Sequence, residues 1–227
     1  MHLKSFCIFI FLIIPMCNFA ILAIPLGVNC AVASVLRHYN IRTQSLPFDW
    51  IISEHEGICK ILNEDFAHFL NPENLYIDPS GLFVVDSYYN TKFLHDFPFV
   101  DIHTRNRRID DNFMEYWEEI NAKYLRRIRR FQKIIQDAMK DGEKVFFIRE
   151  GYITKNQAIE IQTILRKCYP SLDFELIIFT YDTKEDYAWN VPGIINRYSY
   201  TINFALDPFL NRPEWKETLV EVGLYRE

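Results

Sequence analysis

The apolar positions fall into helical stripes and short unbroken runs, and their order outlines the fold. An apolar run ends at Gly27, and Val32, Val35, Leu36 and Tyr39 then share one helical face. Asn29 is a fitting N-cap, which puts Cys30 in the first turn of that helix. After a loop over Ser45 to Trp50, Ile58, Ile61, Leu62, Phe66 and Phe69 recur at helical spacing up to Asn71-Pro72. Leu82 to Val85 reads as a short strand behind the Pro79-Ser80-Gly81 turn. Asn112 to Asp141 is the clearest helix: Phe113, Trp117, Ile120, Tyr124, Ile128, Phe131, Ile135 and Ala138 form one stripe, and Gly142 stops it.

The last third alternates. Lys144 to Arg149 is a continuous apolar strand, which suggests burial on both faces. Thr154 and Gln157 spell a capping box for a helix that buries Ala158, Ile161, Leu165 and Cys168 and ends at Tyr169-Pro170. Glu175 to Tyr181 is a second buried strand, and Arg197 to Asn203 reads as an edge strand. Strand, helix and strand in this order predict parallel pairing with a right-handed crossover. The expected fold is α/β, a single three-layer domain with a mainly parallel sheet. In such sheets ligands gather beyond the carboxyl ends of the strands, where Gly27 to Cys30, Arg149-Glu150 and Asp182 fall.

Composition adds bounds. The 227 residues, 49% hydrophobic and 16% aromatic, can bury one core, and no linker or repeat divides them. A net charge of −5 disfavours a nucleic-acid partner. Lys4, the apolar run from Phe6 to Met16 and the small residues Ala20 and Ala23 describe a secretory signal peptide over residues 1–20, leaving 21–227 as the domain. The expected location is therefore secreted or periplasmic, with a cytoplasmic protein as the alternative. Any membrane association would run through an uncleaved leader. Once Cys7 and Cys17 leave, Cys30, Cys59 and Cys168 remain, so at least one thiol stays free. Cys59 and His68 have no evident partner and read as structural. No metal or cofactor is expected.

Candidate chemistry centres on Cys30, where the positive end of a helix favours a thiolate. His95 lies among Phe93, Leu94 and Phe97 and precedes Asp96, the setting of a base that a carboxylate can orient. Arg126, Arg127 and Arg130 crowd one helix at spacings of three and four. They either meet carboxylates elsewhere in the fold or hold a ligand anion.

Five motifs occur in order: Leu26-Gly27-x-Asn29-Cys30, Pro47-Phe48-Asp49-Trp50, Phe93-x-His95-Asp96-Phe97, Tyr124-x-Arg126-Arg127-x-x-Arg130-Phe131 and Phe147-Ile148-Arg149. The set resembles an uncharacterised bacterial family catalogued as putative papain-like cysteine peptidases. Pro25 stands where that family's first motif leads one to expect serine. The resemblance makes Cys30 the preferred nucleophile and His95 the preferred base. Its name implies an α+β papain-like fold, the alternative to the architecture read from periodicity. The expected function is a cysteine peptidase, hydrolase or acyltransferase acting on a small molecule or peptide. In it Cys30 attacks an acyl carbon, His95 moves the proton, Asp96 or Asp49 orients the imidazole, and first-turn N–H groups hold the oxyanion. The alternative is an anion- or phosphate-ligand-binding protein or transferase, with Asn29, Arg126, Arg127, Arg130 and Arg149 as ligand contacts and Cys30 structural.

Overall fold

The computed structural model describes residues 22–103, 107–199 and 212–226, so the leader and its cleavage site lie outside the described residues. The chain runs β1 (Leu22–Pro25), α1 (Ala31–His38), β2 (Ile51–Ser53), α2 (His55–Asn63), β3 (Leu75–Ile77), β4 (Val84–Asp86) and β5 (Thr91–Phe93). It continues through a hairpin, β6 (Phe99–Val100) with β7 (Arg108–Ile109), to α3 (Trp117–Asp141), β8 (Val145–Gly151), α4 (Lys155–Cys168) and β9 (Phe174–Thr180). β10 (Ile194–Tyr198) and α5 (Pro213–Glu221) follow.

One sheet is parallel throughout, in the order β1-β8-β9-β10. β8 reads as unbroken apolar sequence because both of its faces are covered. Phe146 and Ile148 pack with Val32, Val35 and Leu36 of α1 and with Trp215 and Leu219 of α5. Phe147 points the other way, into the larger core with α3 and α4. The Trp215 ring stacks on Phe179 at 3.8 Å between centroids. The fold is therefore mixed α/β with helices on both faces of a parallel sheet, as the periodicity predicts.

A second sheet, β2-β5-β4-β3, is antiparallel and built from three-residue strands. Sequence reading found only one of its strands, near Val84, because three residues show no periodicity. α2 also ends earlier than its stripe suggests. Asp65, Phe66 and Leu70 take positive φ, so Phe66 and Phe69 reach the core from turns rather than from a helix. The long helix behaves as expected: a 3-10 turn over Phe113–Tyr116 leads into α3, and Gly142 caps it at φ 70°. The capping box of Thr154 and Gln157 is present. Cys168, expected in the core, is half-buried, and its thiol donates to the Leu62 carbonyl at 3.5 Å. β10 begins earlier than the edge strand read from sequence, and residues 200–203 of that strand lie outside the described ones. Among the described residues no helix is long and apolar enough to cross a membrane.

Candidate functional site

The five motifs interlock as two knots at opposite ends of β2. The first fixes the turn that carries Cys30. The Leu26 N–H donates to Ile148 at 2.8 Å, and the chain then turns through Gly27 at φ 71°. A Cβ on Gly27 would lie 2.4 Å from the Ser53 hydroxyl, so only glycine fits. Val28 follows at φ 69°, a left-handed conformation that costs a β-branched residue about 1–3 kcal/mol. Two bonds of 3.3 Å hold it there: its N–H donates to Ser53 Oγ, and the Ser53 N–H donates to its carbonyl.

Arg149 supplies the rest of this knot. Its side chain is buried and points inward, donating to the Leu26 carbonyl and, at 2.8 Å, to the Ser53 carbonyl. Burial pulls its pKa down to about 10. The expectation that Arg149 contacts a ligand is therefore corrected: its two terminal nitrogens are engaged by the Leu26 and Ser53 carbonyls and the Ser53 hydroxyl. The motif Phe147-Ile148-Arg149 and the motif around Cys30 are one device.

The Asn29 side chain accepts from the Ala31 N–H at 2.7 Å, but the N-cap position expected for Asn29 is taken by Cys30, so Cys30 precedes the first turn of α1 rather than lying in it. The Asn29 amide serves the helix rather than a ligand. Cys30 is half-buried just before α1. Its thiol is pushed up by burial, only partly offset by a backbone hydrogen bond, and no charged side chain contributes. Burial thus works against the thiolate that the helix end is expected to favour.

The second knot joins the other three motifs. Asp49 is fully buried; it pairs with Arg42 and accepts from the Leu46 N–H at 2.7 Å. Burial raises its carboxyl to about 6, against the pull of Arg42. Arg130 donates to the Ser45 carbonyl. Asp96 is held by Lys123 at 2.6 Å and the Tyr124 hydroxyl at 2.7 Å, with Arg127 at 3.8 Å. Neither Asp49 nor Asp96 touches an imidazole. The expectation that one of them orients His95 is corrected: Asp49 pairs with Arg42, and Asp96 with Lys123 and Arg127.

His95 is exposed and stands edge-on to Trp50, with 6.0 Å between ring centroids. It lies two residues past Phe93, which pairs with Ile51, whereas Val28 is tied to Ser53 at the far end of β2. Two residues of strand, about 7 Å at about 3.3 Å per residue, separate the two levels, and His95 lies a further two residues beyond the Phe93 end. Among the described residues no hydrogen bond joins Cys30 to a histidine. Cys30 and His95 are thus not brought together as a pair.

Beside the second knot a cavity of about 350 Å³ is lined by Thr43, Gln44, Ser45, Lys123, Arg126, Arg127 and Arg130. Lys123 and Arg127 are shared with Asp96, and Arg130 with Ser45. Arg126 is exposed and has no partner among the described residues. The carboxylate alternative therefore holds for Arg127, while Arg130 meets a backbone carbonyl. Sequence reading missed Lys123 and Arg42. The signal for Lys123 was its i,i+4 spacing to Arg127, on the same face. It also left Cys59 without a partner, yet His55 Nε2 lies 3.7 Å from its sulfur.

An uncharacterized protein of Acanthamoeba polyphaga mimivirus, R408, is 26% identical to this chain over 150 residues, covering 58% of this chain and 62% of that protein. The chain thus spans less than two thirds of that relative's length. The relative is viral, so a bacterial origin for the family finds no support in it. No solved structure gives a significant match. Residues 22–184, which contain all five motifs, match one family profile, and the chain belongs to that family, described as "Putative papain-like cysteine peptidase (DUF1796)".

Proposed function

We propose that the protein is a thiol hydrolase or acyltransferase whose nucleophile is Cys30. The observation that carries this reading is the construction of the Cys30 turn. A left-handed Val28 and a buried Arg149 are both spent on holding five residues at the carboxyl end of β1. Strain and buried charge concentrated on one turn are what a positioned nucleophile requires. In this reading the Cys30 sulfur attacks an acyl carbon, the leaving group departs with a proton, and water or an acceptor resolves the thioester. The first-turn N–H groups of Val32 and Ala33, which have no intrahelical acceptor, face the developing oxyanion. Burial disfavours the thiolate, so the mechanism calls for a base. His95 can serve only through a movement that carries its loop along β2.

The test is labelling with iodoacetamide, followed by peptide mapping, in wild type, Cys30→Ala and His95→Ala. Cys30 is expected to react ahead of Cys59 and Cys168, with a rate still rising beyond about pH 8.5, the free-thiol value, because burial pushes its thiol up. Labelling of Cys168 with none on Cys30 would end the nucleophile reading. An unchanged rate at Cys30 in His95→Ala would remove His95 as its base.

The basic cavity favours a second reading, recognition of a phosphate or carboxylate ligand beside α3. Arg126 is the guanidinium there that no group among the described residues engages. Arg126→Gln is expected to weaken binding of inorganic phosphate about tenfold while leaving stability within about 0.5 kcal/mol of wild type. Titration calorimetry with phosphate decides, and equal binding by both proteins rejects the cavity as an anion site.

A further inference from the structure

His55 opens α2 and Cys59 follows four positions later, so both side chains leave the same face of one helix. That face meets α4, from which Glu160 reaches back. The Nε2 atom of His55 is 2.8 Å from a Glu160 carboxylate oxygen and 3.7 Å from the Cys59 sulfur. The three donor atoms lie within 4.8 Å of one another.

Those distances suit one class of ion. With Zn–S of about 2.3 Å and Zn–N and Zn–O of about 2.0–2.2 Å, the edges of a tetrahedral site measure about 3.4–3.6 Å. The sulfur–nitrogen edge is already at that size. The nitrogen–oxygen edge must open by about half an ångström, and the Glu160 side chain, 59% exposed, can do so by torsion alone. Thiolate, imidazole and carboxylate together select a borderline-soft divalent ion over magnesium or calcium. We propose that His55, Cys59 and Glu160 form a binding site for a zinc-like divalent cation, with a fourth position left to water.

Binding replaces the Cys59 S–H bond by a metal–sulfur bond and releases the proton to solvent. Without a cation, burial first and then the Glu160 charge push the Cys59 thiol up to about 12. The ion also forces the imidazole proton onto Nδ1, which is buried with no acceptor. A missing outer partner of this kind costs about 10–100-fold in affinity relative to a site that has one. The ion would tie α2, which begins two residues after Ser53, to α4.

The test uses the full chain, stripped with a chelator and titrated with Co²⁺. A sulfur-to-cobalt charge-transfer band with tetrahedral visible bands is expected, displaced by Zn²⁺, which should also raise Tm. Cys59→Ser should abolish the charge-transfer band and Cys30→Ala should keep it. Glu160→Gln, a change at an exposed side chain, should weaken Co²⁺ binding at least tenfold. Should Cys59→Ser fail to fold, Glu160→Gln decides. An unchanged affinity there, no thiolate band at millimolar Co²⁺, or a band that follows Cys30 or Cys168 overturns the proposal.

Discussion

Arg149→Met is expected to lower stability by about 3 kcal/mol in urea denaturation at pH 7, although Met nearly fills the same volume. Replacing a buried ion pair by apolar side chains is often harmless, because both charges leave together. Arg149 is different. Its acceptors are the carbonyls of Leu26 and Ser53, which no substitution at position 149 removes. Each loses a charged donor, worth about 1.5–3 kcal/mol, and relief of the buried guanidinium returns only part of that. The same variant should alkylate faster at Cys30, because Val28 keeps its left-handed conformation only while the knot holds. A loss below about 1 kcal/mol would show that the Cys30 turn stands without its arginine.

Asp49→Ala is expected to cost about 3–5 kcal/mol, since it strands the Arg42 guanidinium and the Leu46 N–H together. The pH dependence of that cost distinguishes burial from ion pairing. The folded carboxyl titrates near 6, above the unfolded value of about 3.9, so the folded state holds its proton longer. The stability that Asp49 contributes is therefore greatest at low pH and declines as pH rises from about 4 to 6. The gap between wild type and Asp49→Ala should be wider at pH 5 than at pH 7.5, by about 1 kcal/mol. A gap that widens with rising pH would mean that Arg42 outweighs desolvation and holds the carboxyl down.

The elements legible in the sequence are those whose periodicity outlasts a few residues. α3 declares itself through its apolar stripe, β8 through its unbroken run, and α4 through its capping box. The three-residue strands of the antiparallel sheet carry no such signal. α5 went unread because its buried face is little more than Trp215, Thr218 and Leu219. The place of Cys30 between a strand end and a helix start was legible from Gly27 and Asn29. Its charge state was not, because burial is a property of the assembled fold. The same limit governs the motifs. Residue types showed that Asp49, Asp96 and the arginines matter, but Asp96 meets Lys123 and Tyr124 rather than the adjacent His95 only through the packing of α3.

The pairing of β1 with β8 also sets a schedule for synthesis. Arg149 lies 123 positions beyond Leu26. At about 5–20 residues per second, the first strand waits roughly 6–25 s for its neighbour to be translated, with Ile24 and Leu26 unpaired meanwhile. β8, α4 and β9 are contiguous and can form their parallel unit locally, whereas β1 must close a long loop to join it. A nascent chain is therefore most exposed to aggregation and to chaperones at its amino end. The turn bearing Cys30 takes its final shape only after Arg149 has been made and folded beneath it.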